Sequence, residues 1–196
     1  MSKRSSERPA PRRGWAVVLA LVLLSSCATA PEEPEPEAEI APETRALYQR
    51  GLAAMRAEEY RSAIETFARV SERNDRLAGP YVNRGIAHRA LGEPEKARES
   101  LEAAIERDPA NGAAYNQLGL MHRKAGRFDE AREVYQEGIE ENPEYAQLYR
   151  NLGILCDIYL QKPSCALENF RAYQERTEGD DETVKRWIAD VERRVE

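Results

Sequence analysis

Few side chains in this 196-residue sequence could do chemistry. The chain has two histidines, His88 and His122, and three cysteines, Cys27, Cys156 and Cys165. None of them stands in an H-E-x-x-H, G-x-S-x-G or C-x-x-C pattern, and no glycine-rich loop of the phosphate-binding type occurs. Carboxylates are abundant, but among 35 acidic residues close pairs are expected by chance. We therefore predict no catalytic residues, no metal site and no cofactor.

The two histidines are 34 residues apart, a distance that recurs throughout the chain. We interpret each as a packing residue or a local hydrogen-bond partner. A metal-binding or pH-sensing pair is the alternative.

The charge of the chain is unevenly distributed. Residues 1–26 carry five basic side chains and one acidic one, and the remainder carries 24 Lys and Arg against 34 Asp and Glu. A protein that binds phosphate backbones needs a basic face. The acidic body therefore argues against a nucleic-acid partner.

The N-terminal segment contains the longest apolar run. Residues 1–13 are polar and basic, and an unbroken apolar run of ten residues follows from Trp15 to Leu24. A membrane-spanning helix needs about 20 apolar residues, so this run is too short to span a bilayer. A basic segment, a short apolar segment and small residues after it are typical of a secretory signal peptide.

The end of this segment, Leu24-Ser25-Ser26-Cys27, resembles the lipobox of bacterial lipoproteins. The resemblance implies that residues 1–26 are removed and that Cys27 becomes the lipid-bearing first residue. Ala28 stands where the inner-membrane retention signal would have Asp, which favours an outer-membrane protein facing the periplasm. A plain signal peptide and a twin-arginine signal at Arg12-Arg13 are the alternatives.

Residues 28–43, which follow Cys27, are acidic and rich in proline. Proline favours extended backbone at about 3.1 Å per residue, so this stretch could reach roughly 50 Å from a membrane. We interpret residues 27–43 as the lipidated cysteine and a solvated tether.

The rest of the chain is a repeat. Gly51, Gly85, Gly119 and Gly153 follow one another at intervals of 34 residues. Neighbouring positions recur with them: Ala63, Ala97 and Ala131 lie twelve residues later, and Phe67, Leu101 and Tyr135 lie sixteen later. In the fourth unit the alanine is Ala166, so one residue has been inserted there.

This pattern resembles the tetratricopeptide repeat (TPR), a helix–turn–helix unit of 34 residues. The resemblance implies an all-α solenoid with units at 44–77, 78–111, 112–145 and 146–179, closed by a capping helix in 180–196. We predict helices at 44–57, 60–72, 78–91, 94–107, 112–125, 128–141, 146–160, 163–176 and 181–195. Pro94 and Pro163 suit first helical turns, and Gly92 and Gly126 suit helix ends.

The last predicted helix has an apolar stripe, and its start can be capped by Asp180. The stripe consists of Val184, Trp187, Ile188, Val191 and Val195. We predict that this stripe covers the last repeat, which cannot bury its own apolar face alone. A partner-binding helix is the alternative.

Cys156 and Cys165 fall on the two helices of the fourth unit, where a TPR places them opposite each other. A disulfide is chemically permitted in the oxidising periplasm. We predict that they are bonded to each other; two buried thiols are the alternative.

In TPR proteins the first helices of the units line a concave groove. The matching positions here form an apolar ladder with basic residues gathered beside it. They are Tyr48, Leu52, Met55, Val82, Ile86, Arg89, Asn116, Leu120, Arg123, Lys124, Arg150 and Ile154. The resemblance implies a protein or peptide partner with apolar anchors and carboxylates. Packing between neighbouring units is the alternative for the apolar positions.

We therefore expect a non-enzymatic outer-membrane TPR lipoprotein that acts as an adaptor. Assembly of pilus or gliding machinery and recruitment of cell-wall enzymes are the narrower possibilities, and a hydrolase accessory with its own active site is the rival from another class. The sequence leaves the oligomeric state open.

Overall fold

The computed structural model describes residues 40–177, 179 and 181–195. Cys27, the predicted signal peptide and most of the predicted tether lie outside these residues. The described part contains only helices as regular elements, which confirms the all-α prediction. The helices are α1 Pro42–Arg56, α2 Tyr60–Arg73, α3 Ala78–Ala90, α4 Pro94–Arg107, α5 Gly112–Lys124, α6 Phe128–Glu141, α7 Ala146–Ile154, α8 Pro163–Arg176 and α9 Glu182–Val195.

The helices pair as the repeat predicts, and the pairs stack into a solenoid. Each of α1, α3, α5 and α7 packs against the helix that follows it, and each second helix also packs against the next pair. The predicted bounds agree with the observed ones to within two residues in most helices. Two corrections concern ends: α1 begins at Pro42, inside the predicted tether, and α7 ends early at Ile154.

The early end of α7 is explained by the inserted residue of the fourth unit. A π-helical turn, Leu155–Tyr159, follows α7 directly. In it the amide of Leu160 donates to the carbonyl of Leu155 at 3.0 Å, and Lys162 N–H donates to Cys156 O at 2.8 Å. A π-turn accommodates one extra residue without breaking the helix. The insertion is thus absorbed before α8 begins, and Ala166 keeps its core position.

The core is built from small and large residues that face each other within each pair. Ala63, Ala97, Ala131 and Ala166 are fully buried. Gly85 lets α3 approach α4, because a Cβ atom built at Gly85 would lie 2.6 Å from Leu101 Cγ. The small positions of the repeat therefore set the close spacing of the two helices.

The turn between the two helices of a unit requires a left-handed backbone. Gly92 and Gly126 adopt φ of 74° and 75°, as their predicted place at helix ends suggests. Glu58 and Gln161 occupy the corresponding turns of the first and fourth units with φ of 61° and 53°. Left-handed backbone is unfavourable for residues with a Cβ atom, so these two turns are less stable locally.

The capping helix α9 packs on α8, with Val184, Ile188 and Val191 buried. The indole of Trp187 lies 5.4 Å from the Phe170 ring, measured between centroids. Val195, the last member of the predicted stripe, is 39% exposed and so does not belong to the buried face.

The N-cap of α9 is Asp181, whereas the predicted residue, Asp180, lies outside the described residues. Asp181 Oδ1 accepts hydrogen bonds from the amides of Thr183 at 2.9 Å and Val184 at 3.1 Å. These bonds stabilise the carboxylate and lower the pKa of Asp181. In the described part of the chain, no helix has the length and apolar character that crossing a bilayer would need.

Candidate partner-binding surface

The first helices of the units form the inner layer of the solenoid. Helix α5 contacts both α3 and α7 directly, in addition to its own partner α6. Because α3, α5 and α7 touch one another along the stack, we take the face that the first helices share as the inner surface, where the groove is predicted to lie.

The apolar ladder of this surface is only partly covered. Leu52, Ile86, Leu120 and Ile154 are all half-buried, and so is Met55. Leu52 and Met55 pack against the core of the first unit, and Ile154 packs against that of the fourth. These side chains therefore contribute to packing while leaving apolar surface available to a ligand.

Two residues of the predicted groove, Val82 and Asn116, are more deeply buried than its other members. They are 7% and 8% exposed. Asn116 Oδ1 accepts a hydrogen bond of 2.6 Å from Asn151 Nδ2, across the joint between the third and fourth units. Asn116 is thus a residue of the joint between units.

The joint between the first and second units has a hydrogen bond at the repeat positions that correspond to Asn116 and Asn151. Tyr48, which is half-buried, accepts a hydrogen bond of 2.8 Å at its hydroxyl from Asn83 Nδ2. At the middle joint the corresponding residues are Gln117 and Val82, and Gln117 Oε1 is buried without a hydrogen-bond partner among the described residues. The sequence reasoning missed Asn83 and Asn151, although an asparagine two residues before the repeat glycine in two units was a usable signal.

Arg150 faces the capping helix. Its Nε lies 3.9 Å from Asp181 Oδ2, and its guanidinium lies 5.1 Å from the centroid of the Trp187 ring. Asp157, four residues after the repeat glycine of the same unit, is paired with Arg194 of α9 at 2.7 Å. The fourth unit therefore uses these side chains to hold its cap, and the uncompensated positive charge of the surface lies elsewhere.

That charge lies between the second and third units. Arg89 and Lys124 make no ion pair or hydrogen bond with any described residue. They line a cleft of about 380 Å³ together with Arg98 and Arg127. Arg123, which precedes Lys124 in the chain, has its guanidinium 5.8 Å from the centroid of the Tyr159 ring.

The residue three positions after the repeat glycine holds the turn of its unit in three of the four repeats. His88 Nδ1 lies 2.7 Å from Glu93 Oε2, and this contact lowers the pKa of Glu93. His122 Nδ1 accepts a hydrogen bond of 3.1 Å from Arg127 Nε. Both histidines therefore make the local contacts that we predicted for them.

In the fourth unit the equivalent residue is Cys156, which forms a disulfide with Cys165. The disulfide was predicted from the repeat and is confirmed, but Cys156 lies in the π-helical turn and not, as predicted, in a regular α-helix. No group of three or more potential metal ligands occurs among the residues that the structure describes.

Comparisons with known proteins agree with this architecture. Models of the tetratricopeptide repeat match residues 45–75 and 82–156, together more than half of the chain. A comparison with curated protein sequences gave no match.

Three solved structures illustrate the similarity. The Sgt2 TPR domain from Aspergillus fumigatus is 30% identical with a TM-score of 0.54, over 59% of this chain and 78% of that chain. PilF from Pseudomonas aeruginosa is 22% identical with a TM-score of 0.65, and the match covers 76% of this chain and 67% of that chain. MamA from Desulfovibrio magneticus RS-1 is 23% identical with a TM-score of 0.56, and the match covers 70% of this chain and 77% of that chain. The last two show similarity of fold alone. Taken with the geometry of the helix pairs, these matches place the chain in the tetratricopeptide repeat family, whose domains bind protein or peptide partners.

Proposed function

We propose that this chain is a non-enzymatic adaptor of the bacterial envelope. A lipid on Cys27 anchors it to the outer membrane, the acidic tether gives it reach into the periplasm, and its inner groove binds a protein that assembles into an envelope complex. Confinement to the membrane raises the effective concentration of the partner, so that weak groove binding suffices.

The observation that carries the proposal is the half-buried apolar ladder on the inner face. Leu52, Ile86, Leu120 and Ile154 keep apolar surface accessible on the first helices of four consecutive units. Arg89 and Lys124, which make no ion pair or hydrogen bond with any residue that the structure describes, lie on two of the same helices. A peptide that lies along the first helices can therefore bury apolar side chains while its carboxylates meet positive charge.

The groove is tested by changing apolar residues of the ladder and of the outer layer in parallel. The variant Leu52→Ser/Leu120→Ser alters the inner face, and Leu167→Ser alters a half-buried residue of α8 as a matched control. We expect the partner that co-purifies with the full chain from crosslinked envelopes to be lost in the first variant and kept in the second. Both proteins must retain their helical circular dichroism.

The identity of that partner distinguishes pilus or gliding machinery from cell-wall enzymes. Equal recovery from both variants would contradict groove binding. Hydrolysis of a cell-wall or peptide substrate by the purified chain alone would contradict the adaptor function and favour an enzyme.

The anchor is tested separately at Cys27. We expect mass spectrometry of the mature protein to find Cys27 as the first residue with its acyl chains attached. Cys27→Ser should abolish this modification and release the protein from membranes, whereas Ser26→Ala keeps a small residue before the cysteine and should not. An unmodified Cys27 in the mature protein would refute the anchor and leave the groove proposal standing.

A further inference from the structure

An exposed apolar pair lies on the disulfide-bonded turn of the fourth unit. Ile158 is 63% exposed and Tyr159 is 42% exposed. Among the described residues, the only other large apolar side chain that is similarly exposed is Val195 near the end of α9. The pair is held between Cys156 and Cys165, whose disulfide closes a short loop and fixes this turn. Two adjacent apolar side chains on a fixed turn can supply the apolar contact of an interaction site when they adjoin other binding groups.

Contacts with the turn of the third unit hold Tyr159 in place. Its ring centroid lies 4.8 Å from that of Phe128 at the start of α6. The guanidinium of Arg123 also contacts Tyr159, at 5.8 Å from the centroid of its ring. Arg123 Nη1 is buried without a hydrogen-bond partner among the described residues. The apolar pair is therefore continuous with the α5–α6 turn.

The same turn borders the basic cleft. Arg89, Arg98, Lys124 and Arg127 line the cleft, and Glu95 is the only carboxylate that does so among the residues that the structure describes. Arg98 already donates a hydrogen bond of 2.8 Å to Glu102, and Arg127 donates one from its Nε to His122. Arg89 and Lys124 have no partner among the described residues. The cleft thus keeps uncompensated positive charge.

This charge is notable because the surrounding domain is acidic. Residues 40–196 contain 24 Lys and Arg against 29 Asp and Glu. A local concentration of unpaired cations on such a domain selects anionic partners by complementarity of charge. The adjacent apolar pair adds a requirement for an apolar group.

We propose that the rim formed by the α5–α6 and α7–α8 turns binds an acidic peptide segment with apolar residues. Its carboxylates enter the basic cleft and its apolar side chains pack on Ile158 and Tyr159. We call this surface, comprising Arg89, Lys124, Arg127, Phe128, Ile158 and Tyr159, the rim site. The proposal rests on the adaptor function and extends it: the rim site shares Arg89 and Lys124 with the groove and adds Arg127, Phe128, Ile158 and Tyr159 beside the apolar ladder.

A peptide fits the rim site better than a nucleic acid. A polyanionic backbone gains affinity from many phosphate contacts along an extended basic face. Here the basic residues are few and are joined to an apolar pair. A segment that alternates clusters of Asp and Glu with Leu or Phe matches both parts of the surface.

The test measures fluorescence anisotropy of a defined probe with the full chain, purified in mild detergent under oxidising conditions. The probe is the fluorescein-labelled peptide Glu-Glu-Asp-Leu-Phe-Glu-Asp-Glu-Glu, and the same peptide with Gln and Asn in place of its acids is the reference. We expect the acidic probe to bind and the neutral reference to bind at least about tenfold more weakly at low salt.

Two variants of the chain test the two parts of the site. Arg89→Glu/Lys124→Glu should weaken binding of the probe at least about tenfold. Ile158→Ser/Tyr159→Ser should weaken it about fivefold or more, through lost apolar contact. Arg61→Glu/Arg69→Glu makes the same charge change at exposed positions of α2 and should leave binding within about twofold.

The groove variant Leu52→Ser/Leu120→Ser distinguishes this proposal from the proposed function. It should keep its affinity for the probe even though it loses the natural partner. No binding of the probe, equal loss in the Arg61/Arg69 variant, or unchanged binding in both rim variants would overturn the rim site. The apolar ladder, which the Leu52→Ser/Leu120→Ser variant tests through the natural partner, would still stand as the binding surface. Sedimentation velocity adds a further outcome: if the chain dimerises and Ile158→Ser/Tyr159→Ser makes it monomeric, the rim is a self-association surface and the proposal is wrong.

Discussion

Asn151 donates a hydrogen bond of 2.6 Å from its Nδ2 to Asn116 Oδ1, and this pair of buried amides joins the third and fourth repeats. A solenoid is stabilised chiefly by the interfaces between neighbouring units. The pair therefore contributes to the joint that keeps the ladder residues Leu120 and Ile154 in register.

Removing either asparagine should destabilise the protein, because the remaining amide stays buried without its hydrogen-bond partner. Asn151→Ala leaves the Asn116 amide buried without its partner, which costs about 1–3 kcal/mol. We expect urea denaturation to show that loss for Asn151→Ala and for Asn116→Ala. The double variant should cost less than the sum of the two, because both single changes remove the same hydrogen bond. Strictly additive effects would mean that the amides do not stabilise each other.

The left-handed turn at Glu58 predicts a stabilising substitution. Glu58 has φ of 61°, and the corresponding turns of the second and third units contain glycine. Because left-handed backbone costs roughly 1–2 kcal/mol for a residue with a Cβ atom, and glycine loses more entropy on folding, Glu58→Gly should stabilise by about 0.5–1 kcal/mol. Thermal unfolding measures the change.

Gly92→Ala is the matched change in the opposite direction. Gly92 has φ of 74°, and no described residue has an atom within 4 Å of an added Cβ, so the substitution tests backbone strain. We expect it to lower the melting temperature. A lower melting temperature for Glu58→Gly as well would show that backbone strain does not decide the stability of these turns.

The regular parts of the fold were predictable because each repeat supplies the same information again. Gly85, Ala97 and Leu101 recur at fixed spacing, so the helix pairs follow from the period. The π-helical turn was not predicted: the sequence shows that one residue was inserted, but several backbone conformations can absorb it. The structure shows which one does, by the hydrogen bond from Leu160 to Leu155.

The candidate site was less predictable than the fold. The repeat places Arg150 on the inner face, but its contacts with Asp181 and Trp187 depend on how α9 docks, which the period does not determine. The sequence pattern likewise predicts Asn116 as a groove residue, and only its contact with Asn151 in the structure shows that it joins two units. Side chains at a joint between elements depend on the packing of both elements, so a sequence pattern within one element underdetermines them.

The disulfide should stabilise the fourth unit. Closing about ten residues between Cys156 and Cys165 contributes roughly 2.7 kcal/mol in the chain-entropy model. We expect a reductant to lower the melting temperature of the wild-type chain and to leave Cys156→Ala/Cys165→Ala unaffected. Thiol titration of the denatured, unreduced mature protein checks the bond directly: finding both side chains free would refute it.

His122 should make the stability depend on pH. Burial lowers the pKa of His122 below its ordinary value of 6.5, and the neighbouring Arg127 lowers it further. As pH falls through about 6.5, the unfolded chain takes up a proton that the folded chain resists, so the free energy of unfolding decreases. This loss of stability begins near the pKa of His122 in the unfolded chain and is complete below the pKa of His122 in the folded chain.

His122→Gln keeps an acceptor for Arg127 but removes the titration. Urea denaturation at pH 7.5 and pH 5.5 should show a smaller fall in stability for the variant than for the wild-type chain. A difference between the two proteins that stays constant with pH, or that changes in the wild type's favour on acidification, would contradict this origin of the effect.

Site-specific photocrosslinking in intact cells tests the central claim most directly, because it reports which face of the solenoid meets a partner. A benzoylphenylalanine residue is placed at Leu120 on the inner face of the full chain or, in a separate protein, at Leu167 on the outer layer. The account predicts that Leu120 yields a discrete crosslinked protein after irradiation and that Leu167 does not. Crosslinks from Leu167 alone would show that the partner binds the outer layer, and the inner groove would no longer be its binding site.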